Sequence, residues 1–279
     1  MKKIGPVING EELKITGGDT VDVINPATGK VIARQLCCDS KCVDEIVESG
    51  KQAFNSEHWQ NMSPSDRGHC LTKLADIIET HSDELAELEL QDTGKPISQL
   101  RNAEIPLTAS ILGFNAGAAD KIEGRVKSSS TGNFQFTMYE PYGVVAGILP
   151  WNYPLVNVAM KVAPALAAGN AIVIKPSVET PLSSVAFARL CKEAGIPNGI
   201  VNVALGKGSS TGESLIKHPD VKKISFTGST AIGQHIQRQA VDQMKLVNLE
   251  LGGKNAIIVF ADADLEKAAD AAIISAFIN

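Results

Sequence analysis

Long apolar runs are missing from this chain. Each hydrophobic stretch carries a charge or breaks at glycine or proline well before 18 residues, short of the roughly 20 that a membrane-crossing helix requires. The start, Met1-Lys2-Lys3-Ile4-Gly5-Pro6-Val7, has two positive residues with no apolar stretch behind them, which reads against a signal peptide. Basic blocks are missing too. With 26 Lys+Arg against 31 Asp+Glu and a net charge of -5, and with no basic patch interleaved with aromatics, nucleic-acid binding is not expected. Cysteine is sparse: Cys37, Cys38, Cys42, Cys70 and Cys191 form an odd set without C-x-x-C spacing. That argues against a disulfide framework. No histidine lies near the first three, so no metal site is expected either, and free thiols in a reducing, cytoplasmic compartment fit better.

What is present is an ordinary α/β balance: 44% hydrophobic, 20% charged and 24 glycines in 279 residues. That length is about where one core gives way to two domains. In the first third, Ile8-Asn9-Gly10-Glu11 and Asn25-Pro26-Ala27-Thr28-Gly29-Lys30 read as turns between short strands. Lys41 to Glu57 reads as a helix on the spacing of Val43, Ile46, Val47 and Ala53. Ser63-Pro64 followed by Asp66 predicts the start of another, with Leu71, Leu74, Ala75 and Ile78 on one face. A third, Ser82 to Gln91, is expected to end near Gly94 and Pro96. Glu123 to Tyr142 has a different texture, a polar turn between β-prone segments. It suits either a protruding hairpin or a meander packed on its own domain.

The second half is more regular. Short β-prone runs at Val144 to Leu149, Ala171 to Ile174, Val201 to Ala204, Lys223 to Phe226 and Leu246 to Leu249 alternate with helical patterns. This predicts a largely parallel sheet with flanking helices, with ligands bound at the carboxyl ends of its strands. Pro150-Trp151-Asn152, Lys175-Pro176-Ser177 and Thr227-Gly228-Ser229 all fall at such ends. Gly228, Ser229 and Gly233 pass from strand to helix, where unpaired N–H groups suit a phosphate or simply form a capped turn. Gly206-Lys207-Gly208-Ser209-Ser210-Thr211-Gly212 lacks the ending of a nucleoside-triphosphate loop and reads as a turn into a helix. Lys175 suits ribose hydroxyls or a phosphate, or is a surface lysine. Asn152 suits an oxyanion, or caps a turn. Glu250, before two glycines, suits a general base or is solvated. Lys161, nine residues past Asn152, faces the crevice or the solvent.

In combination, Pro150-Trp151-Asn152-Tyr153-Pro154, Lys175-Pro176-Ser177, Thr180-Pro181, Phe226-Thr227-Gly228-Ser229-Thr230 with Gly233, and Glu250-Leu251-Gly252-Gly253-Lys254 resemble the NAD(P)-dependent aldehyde dehydrogenase family, and Asn25-Pro26-Ala27-Thr28-Gly29 resembles its opening. The resemblance covers essentially the whole chain. It implies a Rossmann-like open sheet, with residues 1–122 and 142–252 as a discontinuous cofactor domain. Residues 123–141 become an oligomerisation β arm, and 253–279 the start of a catalytic domain. Asn152 then stabilises the thiohemiacetal oxyanion, Glu250 activates the thiol or the deacylating water, and Lys161 lies near the active centre. Pro150, Trp151, Lys175, Ser177, Val178, Gly228, Ser229, Gly233 and Leu251 line the site of NAD or NADP. The implied partners are an aldehyde substrate and further copies in a dimer or tetramer, with no nucleic acid and no membrane.

Two departures matter. The family's nucleophilic cysteine falls some thirty-odd residues after the Glu250 position, which places it a few residues past Asn279. None of the five cysteines takes that place, so the chain by itself is expected to be the inactive amino-terminal part of a longer enzyme. A naturally short protein that keeps the fold for cofactor binding or assembly is the alternative. Many NAD-preferring relatives also carry Glu where Val178 stands here, and Glu179 is one residue late, so NADP or dual use becomes plausible.

Overall fold

In the computed structural model, residues 2–14, 17–130 and 132–277 are described. Asn9 and Gly10, both at positive φ (57° and 76°), make the tight reversal between the first paired strands. The strands are β1 (Lys2–Ile4), β2 (Val7–Ile8), β3 (Glu11–Glu12), β4 (Thr20–Ile24), β5 (Val31–Leu36), β6 (Arg125–Lys127), β7 (Gln135–Thr137), β8 (Val144–Ile148), β9 (Ala171–Lys175), β10 (Val201–Val203), β11 (Val221–Gly228) and β12 (Leu246–Leu251). A seven-stranded sheet runs β12-β11-β8-β9-β10-β2-β3, and a three-stranded one runs β1-β5-β4. The five strands from β12 to β10 are parallel; β2 and β3 close that edge antiparallel.

The reason for the parallel run is visible in β8 and β9. Every residue in both is buried, as expected when helices cover a sheet and its strands become continuous apolar runs. Helices Pro154–Ala167, Leu182–Glu193 and Thr230–Val241 make the crossovers, and helix Ser40–Phe54 also packs on β8, β9 and β10. The core includes Phe187, Ile46, Leu71, Leu74, Leu155 and Ile172, each under 2% exposed. Burying each such side chain stabilises the fold by roughly 1.5–3 kcal/mol.

Local chemistry sets the helix ends. Before helix Pro64–Thr80, the Ser63 hydroxyl accepts from the Asp66 N–H at 3.1 Å, and the Asp66 carboxylate accepts from the Ser63 N–H at 3.2 Å. This reciprocal cap is worth about 1 kcal/mol. Helix Ser82–Thr93 stops at Gly94 in the left-handed conformation, φ 74°. One expected helix divides: Lys41 to Glu57 is helix Ser40–Phe54 followed by a separate turn, Glu57–Gln60. The division occurs because the Ser56 hydroxyl accepts from the Trp59 N–H and starts a new cap.

The segment of distinct texture forms a two-stranded antiparallel hairpin, β6 with β7, that joins neither larger sheet and is exposed along both strands. Thr131, in its turn, lies outside the described residues. No residue from 252 to 277 is buried, including the helix Leu265–Phe277. No helix among the described residues is long and apolar enough to cross a membrane.

Candidate active site

The register of the parallel strands brings the sequence motifs into line. Leu249 pairs with Phe226, Phe226 with Ile148, and Ile148 with Lys175. One residue further along the strands come Glu250, Thr227, Leu149 and Pro176. Pro150, Trp151 and Asn152 follow Leu149, while Ser177 and Val178 follow Pro176. Residues spread over a hundred positions of sequence therefore sit along one carboxyl edge, where open α/β sheets bind ligands. Two strands run further than their apolar pattern suggests. β11 extends to Gly228 and β12 to Leu251, so Glu250 lies inside a strand, opposite Thr227, rather than beyond it. Ladder hydrogen bonds from a neighbouring strand outweigh the weak β-propensity of Glu and Gly.

At the β11 end, Ser229 is the N-cap of helix Thr230–Val241, and its hydroxyl accepts from the Ile232 N–H at 3.4 Å. The first-turn amides of Thr230 and Ala231 have no acceptor within the helix. Gly233 is buried where the helix meets β12; a Cβ there would stand 2.6 Å from Leu251 Cδ2. A Cβ at Gly228 would meet the Phe226 ring at 2.5 Å. At Gly233 a side chain would require Leu251 of β12 to move, whereas at Gly228 the crowding comes from the Phe226 ring of the same strand. Glu213 pairs with His235 and with Lys217 (3.1 Å), which ties the neighbouring turn to the same helix.

At the β9 end Lys175 is buried, 4% exposed, and its ammonium donates to the Pro176 carbonyl at 3.0 Å. It sits in an interior strand and is not a surface lysine. Burial pushes its pKa down to about 8, partly offset by Glu179. Ser177 donates to the Glu179 carboxylate. The Val178 carbonyl accepts from Gln35 Nε2 at 2.5 Å, which pins this turn to β5. Pro150 and Asn152 are half-buried, and Trp151 is 61% exposed at the edge. Asn152 caps nothing: Tyr153 occupies the N-cap position of helix Pro154–Ala167.

Glu250 and Lys161 meet on one face of the sheet. They line a cavity of about 360 Å³ with Tyr142, Asn170, Ser225 and Asn248. Lys161 is buried and its pKa is lowered by that burial, with Glu250 opposing the shift. Glu250 is exposed and accepts from Asn248 Nδ2 at 3.4 Å. No thiol joins this face. Cys37, Cys38 and Cys42 line a separate cavity, Cys191 is buried in helix Leu182–Glu193, and Cys70 is half-buried in helix Pro64–Thr80. Among the described residues no group of His, Cys, Asp and Glu is arranged to hold a metal ion.

Sequence reasoning missed a buried polar cluster behind the edge: Glu89, Asp92, Lys95 and Glu104, each under 9% exposed. A signal was available, because Glu89 and Asp92 occupy the stripe of helix Ser82–Thr93 that Leu85 and Ala86 turn to the core. Charged residues on an apolar stripe imply buried partners.

The fold and edge define an open α/β protein with a helix N-terminus, a buried lysine and a strand-borne carboxylate along the carboxyl edge of its sheet. The model of the aldehyde dehydrogenase family matches residues 14–279, and the chain belongs to that family. It is 44% identical over 274 residues to aldehyde dehydrogenase family 2 member C4 of Arabidopsis thaliana, an alignment that covers 98% of this chain and 55% of that protein. It is 42% identical over 277 residues to cytosolic 10-formyltetrahydrofolate dehydrogenase of Xenopus tropicalis, covering 98% of this chain and 31% of the relative. The NAD+ complex of aldehyde dehydrogenase from Bacillus cereus superposes with a TM-score of 0.94 at 42% identity, over 98% of this chain and 56% of that one. The chain thus spans about half the length of such relatives, or less.

Proposed function

We propose that these residues form the cofactor-binding part, and half of the catalytic machinery, of an enzyme that oxidises an aldehyde to a carboxylic acid with NAD or NADP. The observation that carries this reading is the single register line that sets Asn152, Lys175, Gly228, Ser229 and Glu250 along one edge. A dinucleotide fits the residues present. The unpaired first-turn amides of helix Thr230–Val241 suit its pyrophosphate. The Lys175 ammonium, with a single protein acceptor, keeps donors for ribose hydroxyls. When bound, NAD(P)+ supplies the two-electron oxidant.

The chain's own residues then divide the work. The Asn152 amide donates to the oxyanion that forms when a thiolate adds to the aldehyde carbon. Glu250 takes the proton, first from the thiol and then from the water that hydrolyses the thioester. Lys161, buried beside Glu250, adds positive charge to that face. The thiol is supplied by residues outside these 279, in keeping with the absence of cysteine beside Glu250. Residues 1–122 and 142–252 act as the cofactor domain, 253–279 as the beginning of the catalytic domain, and the hairpin at 123–141 as an arm that pairs protomers into dimers or tetramers. A cytoplasmic setting suits five unpaired cysteines and a relative that is itself cytosolic.

The test is made on the full-length product of the gene. Wild type is expected to reduce NAD+ or NADP+ in the presence of aldehyde. Asn152→Ala should lower kcat about 10²–10³-fold, and Glu250→Gln should slow both the first-turnover burst and the thioester hydrolysis that follows it. A full-length protein that binds dinucleotide but oxidises no aldehyde would leave cofactor binding or assembly as its role.

A further inference from the structure

The buried cluster on helix Ser82–Thr93 is joined to the groove by short hydrogen bonds. Of the three crossover helices, Pro154–Ala167 and Leu182–Glu193 carry no side-chain cap of their own: Tyr153 and Pro181, at their N-cap positions, make no such bond. Their first-turn amides are satisfied from a distance. Glu89 Oε1 accepts from the Leu155 N–H at 2.6 Å and from the Ser183 hydroxyl at 2.9 Å. Asp92 Oδ2 accepts from the Leu182 N–H at 3.1 Å. One helix therefore supplies the caps for the helix that follows Asn152 and for the helix that follows Lys175-Pro176-Ser177.

A second contact converges on the same turn. Lys95 pairs with Glu104 at 2.7 Å, and its Nζ lies 3.5 Å from the centroid of the Tyr153 ring. Lys95 and Glu104 are both nearly inaccessible, and Glu89 is fully so. An ammonium held by a buried carboxylate cannot follow a moving ring, so Tyr153 is clamped. Asn152 is thus flanked by a residue held from below by Lys95 and, two positions beyond Tyr153, by an amide held by Glu89. A donor aimed at a developing oxyanion is useful only when its position is fixed beforehand.

We infer that Glu89 is the positioning residue for Asn152, with the Lys95–Glu104 pair steadying the adjoining Tyr153, and that Asp92 serves the cofactor turn in the same way. None of the four touches the reacting atoms. The inference rests on the oxyanion role proposed for Asn152, but its structural half stands apart from it.

Two measurements decide it. On the 279-residue chain, amide exchange is followed by mass spectrometry in wild type, Glu89→Met, Glu89→Gln and Asp92→Asn. Glu89→Met keeps the volume and removes the acceptor, so exchange at Leu155 should rise at least about tenfold while Leu182 is unchanged. Glu89→Gln, which keeps an acceptor oxygen, should restore protection. Ser183→Ala is the milder variant should Glu89→Met fail to fold, and it should raise exchange at Leu155 to a smaller degree. In the full-length protein, Glu89→Met should lower kcat about 10- to 100-fold with the cofactor Kd within about twofold of wild type. In an Asn152→Ala background it should cost nothing further. Unchanged exchange at Leu155, or a kcat loss that persists undiminished in the Asn152→Ala background, overturns the inference. A wild type without aldehyde oxidation overturns the enzyme reading instead, and the exchange data still decide what Glu89 holds.

Discussion

In the proposed cofactor site, Val178 is the side chain on which the choice between NAD and NADP is expected to turn. A carboxylate in this turn would bind the adenosine ribose hydroxyls and repel a 2′-phosphate, the usual basis for preferring NAD. Val178 offers none, and its backbone is fixed by the hydrogen bond from Gln35. The neighbouring Glu179 is held by the Ser177 hydroxyl, so it is engaged rather than free to substitute. Val178→Glu is accordingly expected to weaken NADP binding at least about tenfold relative to NAD, read by fluorescence titration of the chain with each dinucleotide. Equal effects on both cofactors would show that the 2′ position does not face residue 178. Identity alone sufficed to single out this residue, because the departure lies at a motif position. The restraint from Gln35 was not legible: it joins residues 143 positions apart, and only the packed β5 edge brings them together.

At the scale of elements, the helix starts and tight turns were the most legible. Ser63 with Asp66, Asn9-Gly10 and Gly94 each carry a local chemical reason for their conformation. Strand ends were less so, since ladder pairing to a neighbour carries β11 and β12 past the apolar residues that announce them. Helix Ser82–Thr93 was placed correctly but its purpose was missed: Glu89 and Asp92 lie on its apolar stripe, yet the amides they cap come from helices far along the chain. Their burial has a consequence for stability. Loss of solvation raises the Glu89 pKa from its usual 4.5 to about 7, with Ser183 and the Leu155 amide opposing, Glu104 adding to the rise and Lys95 reducing it. Asp92 is shifted in the same direction, chiefly by burial. A carboxyl group whose pKa is raised on folding contributes stability that is complete below its unfolded value and is lost as pH rises through the folded one. Denaturant titrations should therefore show wild type losing stability between pH 4.5 and 7, by on the order of 3 kcal/mol at most from Glu89. Glu89→Gln removes that share and leaves a shallower slope from Asp92. Parallel curves for the two proteins would mean that Glu89 stays ionised in the fold.

At the scale of the whole molecule, apolar side chains of the described residues lie exposed on the hairpin and along the segment that follows β12. On the hairpin, Val126, Phe134, Phe136, Met138 and Tyr139 are all more than half exposed. In the segment after β12, Ile258 and Phe260 are 77% and 73% exposed, and Phe277 is 79% exposed at the end of a helix without a buried residue. β12 is also an edge strand, with one row of backbone groups unpaired. Surfaces of this kind mark contacts with other chains or segments, and an isolated copy that lacks those contacts finds substitutes. Which residues do the covering could not be read from local periodicity, which reports the buried face of an element but not its partner. The 29.5 kDa chain is therefore expected to sediment as species heavier than a monomer and to bind a hydrophobic dye. The two surfaces can be separated by substitution. Phe136→Lys should disrupt hairpin-mediated pairing, whereas Ile258→Lys with Phe260→Lys should lower dye binding without changing the pairing. A wild-type chain that runs as a monomer and binds no dye would show that these segments fold back on the body in solution, and the hairpin would then lose its claim to be an arm.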